Sequence, residues 1–143
     1  MGTQQILLIV LSVIIVGVAI AVGITMFRNQ AYNSNKTAVT GELQQYASQV
    51  VQWYKTPTSQ GGAGTPATIT ADASTIGAYL GWGTVGGATQ DTTDTGGYTV
   101  AVPTETSITI TGVGKEEKGG KNPQGVATIT IPSCEINTAS SDI

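Results

Sequence analysis

The chain has 143 residues, a formal net charge of −3, no histidine and a single cysteine, Cys134. Without histidine the usual acid–base, metal-ligand and Ser-His or Cys-His chemistry is missing, one cysteine excludes an intrachain disulfide, and the few scattered Lys and Arg leave no electrostatic footprint for nucleic acid. Beyond an apolar stretch near the N-terminus about 115 residues remain, enough for about one small domain.

Residues 6–27, ILLIVLSVIIVGVAIAVGITMF, carry no charge and are long enough for a helix to cross a bilayer. A secretory signal fits poorly, because Met1 to Gln5 hold no Lys or Arg and the run exceeds the roughly 7–15 residues of a signal core. Ala19-Ile20-Ala21 imitates a cleavage site only inside the run, and Ile6 stands where a myristoylation motif needs Ser or Thr. Within the run Gly17 and Ala21 are four apart, as are Ala19 and Gly23, a spacing that lets helix backbones approach closely in an apolar medium. By the positive-inside rule Arg28 alone would put the far end of the run in the cytoplasm.

Past Phe27 the composition turns polar without a Gly/Pro break. Val39, Leu43, Tyr46, Val50 and Trp53 recur at spacings of four and three, which predicts an amphipathic helix, with Gly41 as its weak point and Thr56-Pro57 as its stop. Joined to the apolar run, it predicts one helix over residues 3–54, about 75 Å long. Residues 57–96 read as a Gly/Thr/Ser-rich loop, with a short helical turn over 73–80 that puts Ile76, Tyr79 and Leu80 inward, and Trp82 as an anchor. Period-two alternation then predicts strands over 98–102, 107–113 and 126–131. Pro103-Thr104-Glu105 suits a tight connection, and residues 114–125, GKEEKGGKNPQG, form a charged loop.

The expected fold is α+β: a long N-terminal helix, apolar then amphipathic, covering a three- to four-stranded antiparallel sheet. The expected units are 1–28 (apolar half-helix), 29–56 (amphipathic half-helix), 57–96 (loop) and 97–143 (meander and tail), with 29–143 as one globular domain. Val39, Leu43, Tyr46, Val50 and Trp53 are the expected contacts to the sheet, and Cys134 a small buried hydrophobe near the C-terminus.

An apolar half-helix running into an amphipathic half-helix, then a loop and an antiparallel meander, resembles a type IV pilin or pseudopilin, most specifically over residues 1–55. The resemblance implies a subunit held in the cytoplasmic membrane with its C-terminal domain outside, against the vote of Arg28. Assembly machinery would then extract it into an extracellular homopolymer whose core is a bundle of apolar half-helices. On that reading Ile6, Leu7, Ile9, Val10, Val13, Ile14, Gly17, Ala21, Gly23, Ile24 and Phe27 face neighbouring subunits. The chain departs from the family pattern in several places. Only Met1-Gly2 precedes Thr3 where a basic leader is expected, which implies a leader nearly absent, already trimmed or processed differently. Gln4 and Gln5 stand where members carry a glutamate, and can hydrogen-bond but not ion-pair. No proline lies in the apolar half, and the family's C-terminal disulfide cannot form.

Other motifs carry less. Gly112-Val113-Gly114-Lys115 lacks the earlier glycine and the Ser/Thr of a phosphate loop, with Thr109 and Glu116 at those positions. Asp91 and Asp94 match no EF-hand. Asn35-Lys36-Thr37 is a glycosylation sequon placed on a predicted helix, and the Thr-rich surface neither demands nor excludes O-linked sugars. The function expected is a filament-forming structural subunit with no catalytic role and no cofactor. A secretion-system pseudopilin and a single-pass membrane-anchored binding domain are the alternatives. An enzyme would have to improvise with Asp91, Asp94, Glu116 or Glu117.

Overall fold

The computed structural model describes residues 2–85 and 88–143. Met1, the first residue of the expected leader remnant, and Gly86-Gly87 of the expected loop lie outside the described residues. One helix, α1, runs unbroken over Gly2–Lys55, 54 residues, or about 80 Å. Gly17, Gly23 and Gly41 all stay helical. The stop follows from Pro57, which has no N–H to continue the ladder. Thr56 closes the last turn through its N–H to Gln52 O at 2.9 Å and its hydroxyl to the same oxygen at 2.7 Å. A helix end leaves carbonyls unpaired, and the returning loop supplies donors: Ala63 N–H to Trp53 O at 3.0 Å and Thr65 N–H to Tyr54 O at 2.9 Å.

A short 3-10 turn (Thr58–Gln60) leads to α2 (Ala73–Leu80) and six strands: β1 (Gly83–Val85), β2 (Ala88–Thr92), β3 (Gly96–Thr104), β4 (Ser107–Gly114), β5 (Pro123–Thr130) and β6 (Glu135–Asp142). They form one antiparallel meander in sequence order. The α+β class is as expected, with α1 over β4 and β5 and α2 over β1–β3. The sheet has six strands rather than three or four. The hairpin of β1 and β2 occupies the stretch read as loop, and β6 the stretch read as tail. Neither shows an apolar alternation: β2 is ATQDT, and β6, EINTASSD, is an edge strand exposed along nearly its whole length. The turn between β3 and β4 is Glu105-Thr106, slightly later than expected, and the register of β3 shifts between Ala101 and Thr104. Pro103 lies inside that irregularity, where a missing N–H costs no ladder bond.

Val39, Leu43, Ala47, Val50, Trp53 and Tyr54 of α1 are buried against Tyr98, Val100, Ile108, Ile110, Ala127 and Ile129 of the sheet. The helix comes close because two glycines sit side by side beneath it, Gly112 paired with Gly125. A Cβ on Gly125 would collide with Leu43 Cδ1, and one on Gly112 would lie 2.6 Å from the Tyr98 ring. The glycine pattern that imitated a phosphate loop is thus a packing groove. In α2 Ile76 is buried, but Tyr79, expected inward, is 41% exposed. The inward neighbour is Gly77, whose missing side chain admits Thr89 Cγ2. Cys134, expected buried, is half-buried in the turn after β5, at a φ of 56°.

Trp82 is buried and anchors its loop through Tyr46, whose ring meets it edge-on at 4.9 Å and meets Tyr98 at 5.1 Å. Tyr46 is only half-buried, and its hydroxyl donates to Asp91 Oδ2 at 2.9 Å, which ties α1 to β2. Burial first, then the Asp91 carboxylate, raises the Tyr46 pKa above its ordinary value. Tyr98 is pushed up to about 12, again chiefly by burial. Both folded values exceed the unfolded value near 10, so this stabilisation is complete below pH ~10 and is lost as pH rises toward and past the folded values. The midpoint of thermal unfolding is expected to fall above pH ~10, with phenolate absorbance appearing together with unfolding. Two tyrosines that ionise reversibly near pH ~10 while the sheet stays intact would contradict this.

Candidate assembly surface

The first 27 described residues, 2–28, are all exposed, and the first buried side chain of α1 is Tyr32. The exposed half extends about 40 Å at 1.5 Å per residue. It is long and apolar enough to cross a bilayer. Among the described residues none of its side chains is buried: Ile6, Leu7, Ile9, Val13, Ile14 and Ile24 are exposed, between the extremes of 50% at Val10 and 74% at Phe27. In water such a surface is unfavourable by about 25 cal/mol per Å², so it must be covered by lipid or by other apolar chains.

The segment is chemically prepared for a water-free setting. A helix satisfies its own backbone polar groups, which is what hydrocarbon requires. The two hydroxyls within residues 6–27 do likewise, Ser12 Oγ donating to Leu8 O at 2.8 Å and Thr25 Oγ1 to Ala21 O at 3.0 Å. A Cβ at Gly17 or Gly23 would meet nothing within 4 Å, so each glycine leaves a dent in the surface. At about 100° per residue, Gly17 and Ala21 share one face while Ala19 and Gly23 share another, turned by about 200°. The two dents therefore open on nearly opposite sides. Gln4 and Gln5 are exposed in a first turn that holds no acidic residue.

Where α1 enters the domain, polar ties hold it. Asn35 Nδ2 donates to Thr95 O at 2.8 Å, and Asn35 Oδ1 accepts from Glu116 N–H at 3.4 Å. The sequon asparagine thus uses both ends of its amide inside the fold, unlike the free loop asparagine that glycosylation takes. Lys36 Nζ pairs with Asp142 Oδ1 at 2.9 Å, and the Tyr32 hydroxyl and Lys36 hold Asp142 below the usual carboxylate range. Thr93 Oγ1 donates to Glu42 Oε2 at 3.0 Å. Of the sheet contacts expected from sequence, Val39, Leu43, Val50 and Trp53 are fully buried and Tyr46 is the half-buried tie to Asp91. The ties through Asn35, Lys36 and Glu42 join residues far apart in the chain. Their one trace is position, since Asn35 is one helical turn before Val39.

Among the described residues no three His, Cys, Asp or Glu side chains converge. An open cleft of about 890 Å³ lies between residues 69–74 and β1–β3, with Asp72 and Glu105 as the titratable groups among its described lining residues. Comparison of the chain with protein-family models, curated proteins and solved structures finds no match.

Proposed function

We propose that this chain is the structural subunit of a helical surface filament of the type IV pilus kind, held in the cytoplasmic membrane by residues 6–27 before assembly. Assembly machinery would then pass it into the filament, where the same residues pack on other copies. The observation that carries the reading is the apolar half-helix that is exposed at every described residue and has close-approach dents on two nearly opposite faces. One dented face serves a dimer; two serve a bundle that continues. Lipid tails are as apolar as the segment, so the gain on leaving the bilayer comes from helix packing at small residues rather than from the hydrophobic effect. Because α1 is unbroken, packing its first half sets the position of the domain on its second.

A secretion-system pseudopilin would use the same surface in a shorter assembly. A single-pass anchored domain would use it against lipid alone. Electron microscopy of the purified surface fraction separates these readings: filaments built from this chain support the proposal, and recovery solely as a detergent-solubilised monomer sinks it. Gly17→Leu and Gly23→Leu each fill a dent and are expected to abolish filaments while leaving the chain in the membrane with its domain folded. Normal filaments from both variants would remove the dents from any subunit contact.

A further inference from the structure

The charges of the chain are divided between its two ends. Of six Lys and Arg residues, five lie where α1 leaves the domain: Arg28, Lys36, Lys115, Lys118 and Lys121. Several contacts bring them there. Glu116 N–H reaches Asn35, Lys115 N–H bonds Thr95 O at 3.2 Å, Lys118 Nζ lies 5.9 Å from the centre of the Tyr32 ring, and Lys36 pairs with Asp142. Asp94, Glu116, Glu117 and Asp142 share that end, leaving it one net positive side-chain charge, with Glu42 at its border through Thr93. The rest of the chain has only Lys55 against Glu42, Asp72, Asp91, Glu105 and Glu135, four net negative charges. The domain is therefore an electrical dipole aligned with its helix, positive toward the apolar half.

The positive end is also at the right depth. Arg28 is the first charge after the apolar run, and Tyr32 is four residues further, about 6 Å along the axis. Lys118, resting on Tyr32, is thus within about one Debye length of the level where Arg28 meets headgroups. The loop from Lys115 to Lys121 is exposed at every residue, and among the described residues Lys36 is the only one of the five cations in an ion pair.

We propose that in the membrane-inserted state this end of the domain seats on anionic lipid headgroups, with Arg28, Lys115, Lys118 and Lys121 contacting lipid phosphates. The proposal rests on residues 6–27 being the membrane segment. Cations near a charged bilayer are attracted over a Debye length, and the acidic far end is repelled, so the same field holds the domain upright.

The test uses the full chain in nanodiscs of phosphatidylcholine alone and with about 30% phosphatidylglycerol, an anionic lipid. Hydrogen exchange is read at the amides of Glu117, Gly119 and Gly120. Exchange there is expected to slow about tenfold in the anionic discs, and to recover in ~0.5 M salt, where the Debye length shrinks to a few ångströms. The variant Lys115→Gln/Lys118→Gln/Lys121→Gln is expected to lose the slowing, with exchange along β4 and β5 unchanged as evidence of an intact fold. Equal exchange in both lipids from an inserted chain overturns the seating alone. A chain that does not enter the discs overturns the membrane reading and the seating with it.

Discussion

A chain shortened to residues 29–143 is expected to fold to the same α+β domain and to remain in solution without detergent. Its thermal midpoint should lie within a few degrees of that of the full chain. The reason is that residues 2–28 contribute nothing to the core: all are exposed, and the first buried side chain is Tyr32. The new N-terminus would begin with Asn29, a residue type favoured as a helix cap, so the cut falls where a helix start is tolerated. What changes is the surface, since among the described residues the removed stretch holds nearly all the exposed large apolar side chains and the remainder keeps Tyr79, Ile136 and Ile143. Circular dichroism and size-exclusion chromatography check the outcome. An aggregated or unfolded product would mean that the apolar half takes part in folding the domain.

The second large effect is expected at the seat of the helix on the sheet. Leu43 is fully buried, and its Cδ1 occupies the space over Gly125. Leu43→Ala removes that contact and leaves a cavity, at a cost of about 2–5 kcal/mol, a large share of the roughly 5–15 kcal/mol that holds a domain together. Gly125→Ala pushes a methyl into the same space and is expected to cost about 1–3 kcal/mol by overpacking. The double variant should be less destabilised than the two losses added, by about 0.5–3 kcal/mol, because the methyl enters the space that Leu43 vacates. Chemical denaturation of all four proteins measures the coupling. Strict additivity would show that Leu43 and Gly125 do not meet.

The helix, its ends within a residue of those expected, and the three central strands were legible because each carries a periodic apolar signal. The stripe from Val39 to Trp53 repeats at helical spacing, and β3 to β5 alternate between buried and half-buried residues over most of their length. The hairpin of β1 and β2 was not legible, since its strands are short and polar and owe their pairing to β3 and to α2 above them. Nor was β6, whose partner β5 supplies the apolar surface on that edge. Tyr79 misled because spacing alone favoured it, while Gly77 gains its inward place by having no side chain. The apolar half of α1 was legible from composition. The ties that fix its exit from the domain join residues such as Asn35 and Thr95, far apart in the chain, and long-range polar pairs leave no periodicity to read.

The unbroken course of α1 also makes the molecule a lever. A tilt of about 10° in the apolar half, carried along about 80 Å of helix, sweeps the far end through roughly 14 Å. Small residues at the narrow end and a broad domain at the other are thus geared together. A change of packing too slight to register among the side chains around Gly17 becomes a displacement of about 14 Å at the far end of the helix, and a lateral force on the domain is transmitted back as torque on residues 6–27.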